Sequence, residues 1–323
     1  MSTLRLVDKR VRLEFPHGHL HSLLCQLPNR LDLGRLTDQQ VAPEEKWAEV
    51  RSVLDFVTDG PARHKPVHFL VFPEATLPVS HFEEFLQAFT DRFPANTVAM
   101  IGLDHTWLEV YRDHLRRWGD DNPEALESVE RAMHGGDLRR IPVNWAATVV
   151  KDAGGDLRVF LQAKSHPYAG EETLDYSSDL YRGKVFPLFR TEPTGFNFML
   201  LICIDYIYRT IYHSNIGTVI RRANELFFET RQCLDLLAVI QCNPKPDHKA
   251  FRDVMSGFYG EYLEAFPGVR DTITLMCNTS AETSGVPCAE DACFGRSSVV
   301  VSHRHKLQRA TYREFATDDF QGA

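Results

Sequence analysis

Three residues capable of covalent chemistry each stand just past a run that reads as a buried strand. Glu74 follows His68-Phe-Leu-Val-Phe-Pro73, Lys164 follows Val159-Phe-Leu-Gln-Ala163, and Cys203 follows Phe198-Met-Leu-Leu-Ile202. Strand ends are where layered α/β sheets place their sites. A cysteine acts as a nucleophile through its thiolate, so either its pKa of about 8.5 must fall or a base must stand beside it. Glu74 can accept the thiol proton if burial raises its own proton affinity. Lys164 can hold the oxyanion of a tetrahedral intermediate and favour the thiolate. The backbone N–H of Ile204, the next residue after the cysteine, is a natural second oxyanion donor. Taken singly, each residue has an ordinary reading: Cys203 as apolar packing, Glu74 and Lys164 as loop positions. Together they form a base, a cation and a nucleophile. Asp205 then reads as a structural anchor just beyond the nucleophile.

A Cys–His arrangement is the rival chemistry, with His166 or His213 as the base. It leaves Glu74 and Lys164 without a role. Replacing Lys164 with Ala separates the two, since only the first needs the ammonium.

The elements that must position these residues alternate strand and helix, the pattern of a layered α/β fold. Leu20–Leu27 reads as a strand. Pro43-Glu-Glu45 opens a helix with Trp47, Val50, Leu54 and Val57 on one face, and Gly60 ends it. After the strand at His68–Phe72, Ser80 and Glu83 have capping-box spacing ahead of Phe82, Phe85, Leu86 and Phe89. Thr97–Gly102 is a further strand. Residues 106–140, charged and carrying Trp107 and Trp118, read as a helical insertion on the rim. Strands at Asn144–Val150 and Leu157–Gln162 flank a Gly-Gly hairpin turn. Beyond Cys203 comes an extended segment at 206–233, with a helix starting at Ser214 or Asn215. A strand at Leu234–Gln241, a long helix over about 247–266, and strands at Thr272–Cys277 and Ser297–Val301 complete the set. No composition shift marks a boundary, so residues 1–323 are expected to be a single domain.

Composition excludes several partner classes. The 323 residues carry a net charge of −8 with signs interspersed, which disfavours nucleic acid and anionic membranes. The longest apolar run, Phe198–Ile204, is far short of the ~20 residues that span a bilayer. The opening residues lack the apolar core of a secretory signal, so a cytoplasmic location is expected. Seven scattered cysteines without a Cys-x-x-Cys pair suit reduced thiols and no zinc site. His17, His19 and His21 alternate as a solvated stripe would.

The residues quoted resemble the nitrilase superfamily, the carbon–nitrogen hydrolases. The likeness rests on Val71-Phe-Pro-Glu74, on Asp156-Leu-Arg-Val-Phe-Leu-Gln-Ala-Lys164 after a hairpin, and on Ile202-Cys-Ile-Asp205. Gln26, Asn144, Val239-Ile-Gln-Cys-Asn-Pro244, Met276-Cys-Asn278 and Phe294-Gly-Arg-Ser297 add to it, over about residues 20 to 305. The resemblance implies a four-layer α-β-β-α sandwich of two mixed sheets with outer helices, often doubled by dimerisation. A homodimer or higher homo-oligomer is therefore expected. It also implies cleavage of non-peptide C–N bonds in a small amide, carbamoyl compound or nitrile, amidase-type hydrolysis being preferred. Glu74 would be the general base, Lys164 the oxyanion stabiliser and Cys203 the nucleophile, with no metal or organic cofactor. A second glutamate follows the lysine in many members; Glu172 is preferred here over Glu171. His166, Tyr168, Arg209 and Asn243 are the polar residues expected to reach the pocket. Departures from the family pattern bear on the substrate: Ile204 stands where the family often has an aromatic, the 106–140 insertion is long, and about 28 residues separate Asp205 from the strand near Leu234. An acyltransferase using the same triad, or a binding or regulatory module that keeps the fold, is the alternative.

Overall fold

The computed structural model describes residues 4–15, 20–28, 42–60, 66–134, 141–167, 180–206, 215–243, 257, 260, 263–280, 297–301 and 311–314. Two β-sheets lie face to face. One has the order β2-β3-β4-β5-β6, formed by Ser22–Leu24, Phe69–Val71, Thr97–Trp107, Pro142–Lys151 and Leu157–Ala163. The other has the order β1-β7-β8-β9-β10-β11-β12, formed by Arg5–Leu13, Val185–Pro193, Asn197–Ile202, Leu236–Gln241, Ile273–Asn278, Ser298–Val301 and Thr311–Glu314. Both sheets are mixed. β2, β3 and β4 run parallel, as do β8, β9 and β10, while β5 and β6 form an antiparallel hairpin.

Side-chain alternation along the strands writes the layers. Phe69 and Val71 of β3 face the other sheet, where they pack with Phe198, Leu200 and Ile202 of β8 and Ala238 and Ile240 of β9. Leu70 faces outward, under α1 (Pro43–Thr58) and α2 (Phe82–Arg92), joining Val50, Leu54, Phe82, Phe85 and Phe89. Met199 and Leu201 face outward from the second sheet and are covered by Val219, Ile220, Ala223 and Phe227 of α5 (Asn215–Thr230). Burial of each Val, Leu, Ile, Met or Phe among these contributes about 1.5–3 kcal/mol against an exposed side chain. The architecture is thus the expected four-layer α-β-β-α sandwich of two mixed sheets.

The helical segment expected on the rim forms α3 (Leu108–Arg117) and α4 (Pro123–His134). It covers the exposed edge of β6, the last strand of its sheet. The β6 amides of Val159 and Leu161 donate to the side chains of Asp121 and Asn122, and the Arg158 guanidinium pairs with Asp121. Edge amides satisfied in this way cannot recruit another strand. α4 also reaches the second sheet through Lys9–Glu124 and Arg5–Glu127.

Several expectations need correction. β1 and β7 are strands not foreseen in the sequence. β1 is an edge strand with charges at Arg5, Asp8, Lys9, Arg10 and Arg12, and β7 carries Pro187, Arg190 and Pro193, so neither shows a clean apolar run. β12 was also unforeseen, and the first expected strand is shorter, limited to β2. The N-cap of α2 is His81 and not Ser80: residues Val79–His81 form a 3-10 turn and the helix starts at Phe82. The long helix expected at 247–266 lies largely outside the described residues. No helix among the described residues is long and apolar enough to cross a membrane.

Candidate active site

The C-terminal ends of β3, β6, β8 and β9 converge, and the sequence changes character there. β3 ends at Val71 and Pro73 breaks it, releasing Glu74 into a tight loop in which Ala75 has φ +51°. That loop is fastened to β4. The Gly102 amide donates to the Pro73 carbonyl, and the amides of Thr76 and Leu77 donate to the Gly102 carbonyl. The approach requires glycine: a Cβ at 102 would lie 2.5 Å from the Glu74 Cα and 2.6 Å from the Ala75 nitrogen.

Glu74 is 4% exposed, and its carboxylate is fully engaged. Oε1 accepts from Lys164 Nζ at 2.8 Å and from Asn144 Nδ2 at 2.7 Å; Oε2 accepts from the Cys242 amide at 3.0 Å. Lys164, 1% exposed, is the first residue after β6, and its amide donates to the Asn144 carbonyl on β5. Glu74 and Lys164 are therefore brought together as a buried ion pair. Such pairs persist when geometry and extra hydrogen bonds offset desolvation, and here Asn144 and the Cys242 amide supply the extra bonds.

Cys203 starts a 3-10 turn, Cys203–Tyr206, immediately after β8. Its φ of +49° is the left-handed region, uncommon for a non-glycine residue and costing about 1–3 kcal/mol. The turn swings the side chain from the outward position that strand alternation would give it to a partly buried one against the core between the sheets. Two links bind this turn to the Glu74–Lys164 pair. β8 and β9 are parallel with Ile202 opposite Ile240, so Cys242, whose amide holds Glu74, lies just past the residue opposite Cys203. Asp205, 1% exposed, accepts from the amides of Ser165 and His166 and from the Ser165 hydroxyl at 2.8–3.1 Å. The residue after Lys164 is thereby tied to the second residue after Cys203.

The remaining expected positions fall as follows. Asp205 is committed to Ser165 and His166, which makes it an anchor of the two loops. Asn243 and Asn278 are joined through backbone and side chain, the Asn243 amide donating to Asn278 Oδ1 and Asn278 Nδ2 to the Asn243 carbonyl. This fixes the strand ends of β9 and β10. The Ser297 amide donates to Gln26 Oε1 and the Ser297 hydroxyl accepts from the Asn278 amide, extending the same tie towards β2. Ile204 is the second residue of the 3-10 turn, with its amide next to Cys203. Glu171, Glu172, Tyr168, Arg209 and His213 lie outside the described residues, as do His17 and His19. Two contributors escaped the role reading of the sequence: Asn144, a wholly buried amide within the apolar strand β5, and the Cys242 amide. An asparagine inside Pro-Val-Asn-Trp-Ala-Ala was a legible signal; a backbone N–H was not.

Among the described residues, no group of three His, Cys, Asp or Glu side chains is placed to hold a metal ion.

No protein-family model matches the chain, and no curated protein does. Solved structures similar to it include a mutant of the amidase from Nesterenkonia sp. AN1, described with covalent addition of the acetamide moiety of fluoroacetamide at its active-site cysteine. That likeness has 12% identity and a TM-score of 0.46 over 85% of this chain and 80% of that one. A CN-hydrolase superfamily protein from Xanthomonas campestris, carrying an arsenic adduct in its active site, is 10% identical with a TM-score of 0.45 over 92% and 91%. A carbon–nitrogen hydrolase from Helicobacter pylori G27 is 11% identical with a TM-score of 0.45 over 92% and 89%.

Proposed function

We propose that the protein is a carbon–nitrogen hydrolase of the nitrilase superfamily, acting on non-peptide amides through a thioester on Cys203. One observation carries the reading: the carboxylate of Glu74 is held by Lys164 Nζ, Asn144 Nδ2 and the Cys242 amide at the strand ends where β8 delivers Cys203 on a left-handed turn. Perturbed backbone and a buried base–cation pair at one place are what a preorganised nucleophile site requires.

In this reading Glu74 takes the Cys203 thiol proton, and the sulfur attacks the substrate carbonyl carbon. The resulting oxyanion is held by the Lys164 ammonium and the Ile204 amide. Collapse expels ammonia or an amine, which leaves with the proton returned from Glu74, and the acyl group stays on sulfur. Glu74 then takes a proton from water, the hydroxide attacks the thioester, and the carboxylic acid is released with the thiol restored. A small amine in place of that water would make the same site an acyltransferase.

The Cys–His reading has one observation in its favour: His166 Nδ1 lies 3.4 Å from Asp205 Oδ1, the kind of orienting carboxylate such a base uses. The same oxygen already accepts from the Ser165 hydroxyl and the His166 amide, and the reading still leaves the Glu74–Lys164 pair idle.

Intact-mass spectrometry with a panel of small amides, carbamoyl compounds and nitriles tests the proposal. A covalent acyl adduct is expected on the native protein and none on Cys203→Ala. No adduct and no turnover across the panel would leave a binding module on this fold. Retention of turnover in Lys164→Ala would favour the Cys–His reading.

A further inference from the structure

Behind the Glu74 loop, on the helix side, sits a charged pair that the chemistry above does not use. Lys46, in the first turn of α1, is 2% exposed, and Asp104, on β4, is 5% exposed. Lys46 Nζ donates to Asp104 Oδ1 at 2.5 Å and to the Ala75 carbonyl at 3.2 Å. Asp104 is itself built into the loop. Its amide donates to the Leu77 carbonyl at 2.9 Å, and its own carbonyl accepts from Trp145 Nε1 at 3.1 Å.

We propose that Lys46 and Asp104 are positioning residues for Glu74, holding the carbonyl of the next residue, Ala75, so that the Glu74 carboxylate points at Lys164 and the Cys203 turn. The proposal rests on the reading of Glu74 as the base.

Stability is a poor reason for such a pair. Replacing a buried ion pair with apolar side chains of similar volume is often neutral or stabilising, and α1 buries Lys46 together with the apolar Trp47 and Val50. An ammonium supplies what a methionine cannot, an N–H donor to the Ala75 carbonyl. Ala75 is held at φ +51°, a conformation that alanine adopts at a cost, so its carbonyl needs a partner to fix its direction. Lys46 is that partner, and Asp104 neutralises the charge that brings it there. Burial raises the Asp104 pKa and Lys46 opposes the rise, as a closely coupled pair requires. Glu74 is thereby gripped from two sides: its carboxylate by Lys164 and Asn144, and the carbonyl of the next residue, Ala75, by Lys46.

The decisive comparison uses wild type, Lys46→Met, Asp104→Asn, the double variant Lys46→Met/Asp104→Asn, and Glu74→Gln. Three quantities are measured: the urea midpoint, the rate of Cys203 alkylation by iodoacetamide against pH, and the ¹³C shift of the Glu74 carboxyl in glutamate-labelled protein, assigned from its loss in Glu74→Gln. The single variants strand a buried charge and are expected to lose stability. The double variant is expected to regain most of it, yet to alkylate at least tenfold more slowly than wild type with a pH profile moved towards that of Glu74→Gln. Its Glu74 resonance is expected to shift. A double variant that recovers the wild-type resonance and alkylation profile along with stability overturns the positioning role. If Glu74→Gln alkylates as wild type does while the resonance still moves in the double variant, the positioning role stands and the base role of Glu74 falls.

Discussion

Lys164 Nζ lies 2.8 Å from Glu74 Oε1, an ion pair whose two side chains are 1% and 6% exposed and follow strands β6 and β3, which are separated by β4 and β5 in the same sheet. Removing one partner leaves a buried charge alone, which typically costs about 3–5 kcal/mol. Lys164→Ala is therefore expected to abolish acylation of Cys203 and also to lower stability by that order, measured by adduct mass and urea denaturation. Wild-type stability in Lys164→Ala would mean that the pair is not the buried contact described.

Cys203 makes the opposite prediction for stability. Its φ of +49° is costly for a side chain with a Cβ and free for glycine. Cys203→Gly should eliminate acylation while raising stability by up to about 1 kcal/mol. A thermal melt below that of Cys203→Ala would show that the turn is not strained.

Asn144 donates to the same carboxylate oxygen as Lys164, at 2.7 Å, from a site with no solvent exposure. A hydrogen bond to a charged group is worth about 1.5–3 kcal/mol, and about 1.4 kcal/mol corresponds to tenfold in rate. Asn144→Ala is expected to slow adduct formation about ten- to a hundredfold while the protein still folds, read from single-turnover kinetics on the variant.

Glu74, Lys164 and Cys203 were legible as candidates because each follows a strand rich in apolar residues: Phe69–Val71, Leu157–Ala163 and Asn197–Ile202. Buried strands declare themselves by composition; the four-layer arrangement of those strands was implied by the family resemblance and not by composition. β1 and β7 stayed hidden because an edge strand protects itself with charge and β7 carries prolines, so neither offers the pattern a sequence reading uses. The grip on Glu74 by the Cys242 amide and on Ala75 by Lys46 was illegible for another reason. Both are contacts of backbone atoms set by register between elements distant in sequence, and no residue type encodes them.

Asp205 binds three donors of the Ser165–His166 segment and so couples the Lys164 loop to the Cys203 turn. Asp205→Asn keeps the shape but loses the charge and turns one acceptor oxygen into a donor facing donors. Destabilisation of about 2–4 kcal/mol is expected from unsatisfied buried donors. Adduct formation should also fall, since the two loops lose their tie. If urea denaturation matches wild type, the anchor role is wrong.

Gly102 has no room for a methyl group, because the atoms a Cβ would meet are backbone: Glu74 Cα at 2.5 Å and the Pro73 carbonyl oxygen at 2.6 Å. Backbone cannot swing aside as a side chain can, so Gly102→Ala must displace the Glu74 loop. A loss of about 1–3 kcal/mol is expected from overpacking, and a larger proportional loss in acylation rate because Glu74 itself moves. Equal rates in Gly102→Ala and wild type would show that the loop position does not govern reactivity.

His68 sets a pH dependence outside the site, at the junction of β2 and β3. Its Nδ1 accepts the His21 amide at 3.0 Å, its ring stacks on that of His21 with centroids 5.8 Å apart, and Phe15 meets it edge-on. Burial, and then the neighbouring His21, hold its pKa below the ordinary value of 6.5. A protonated Nδ1 cannot accept, so the folded chain disfavours the charged form that the unfolded chain takes up freely. Above pH 6.5 the imidazole is neutral in both states and its contribution to stability is complete. As the pH falls from 6.5 towards the lowered folded value, the unfolded chain binds the proton first and that contribution is lost. Urea midpoints measured from pH 7.5 to 5 should therefore fall more steeply in wild type than in His68→Asn, whose amide oxygen can take the Nδ1 acceptor role without titrating. Parallel curves for the two proteins would remove His68 as the source, and a steeper curve for the variant would reverse the sign of the shift.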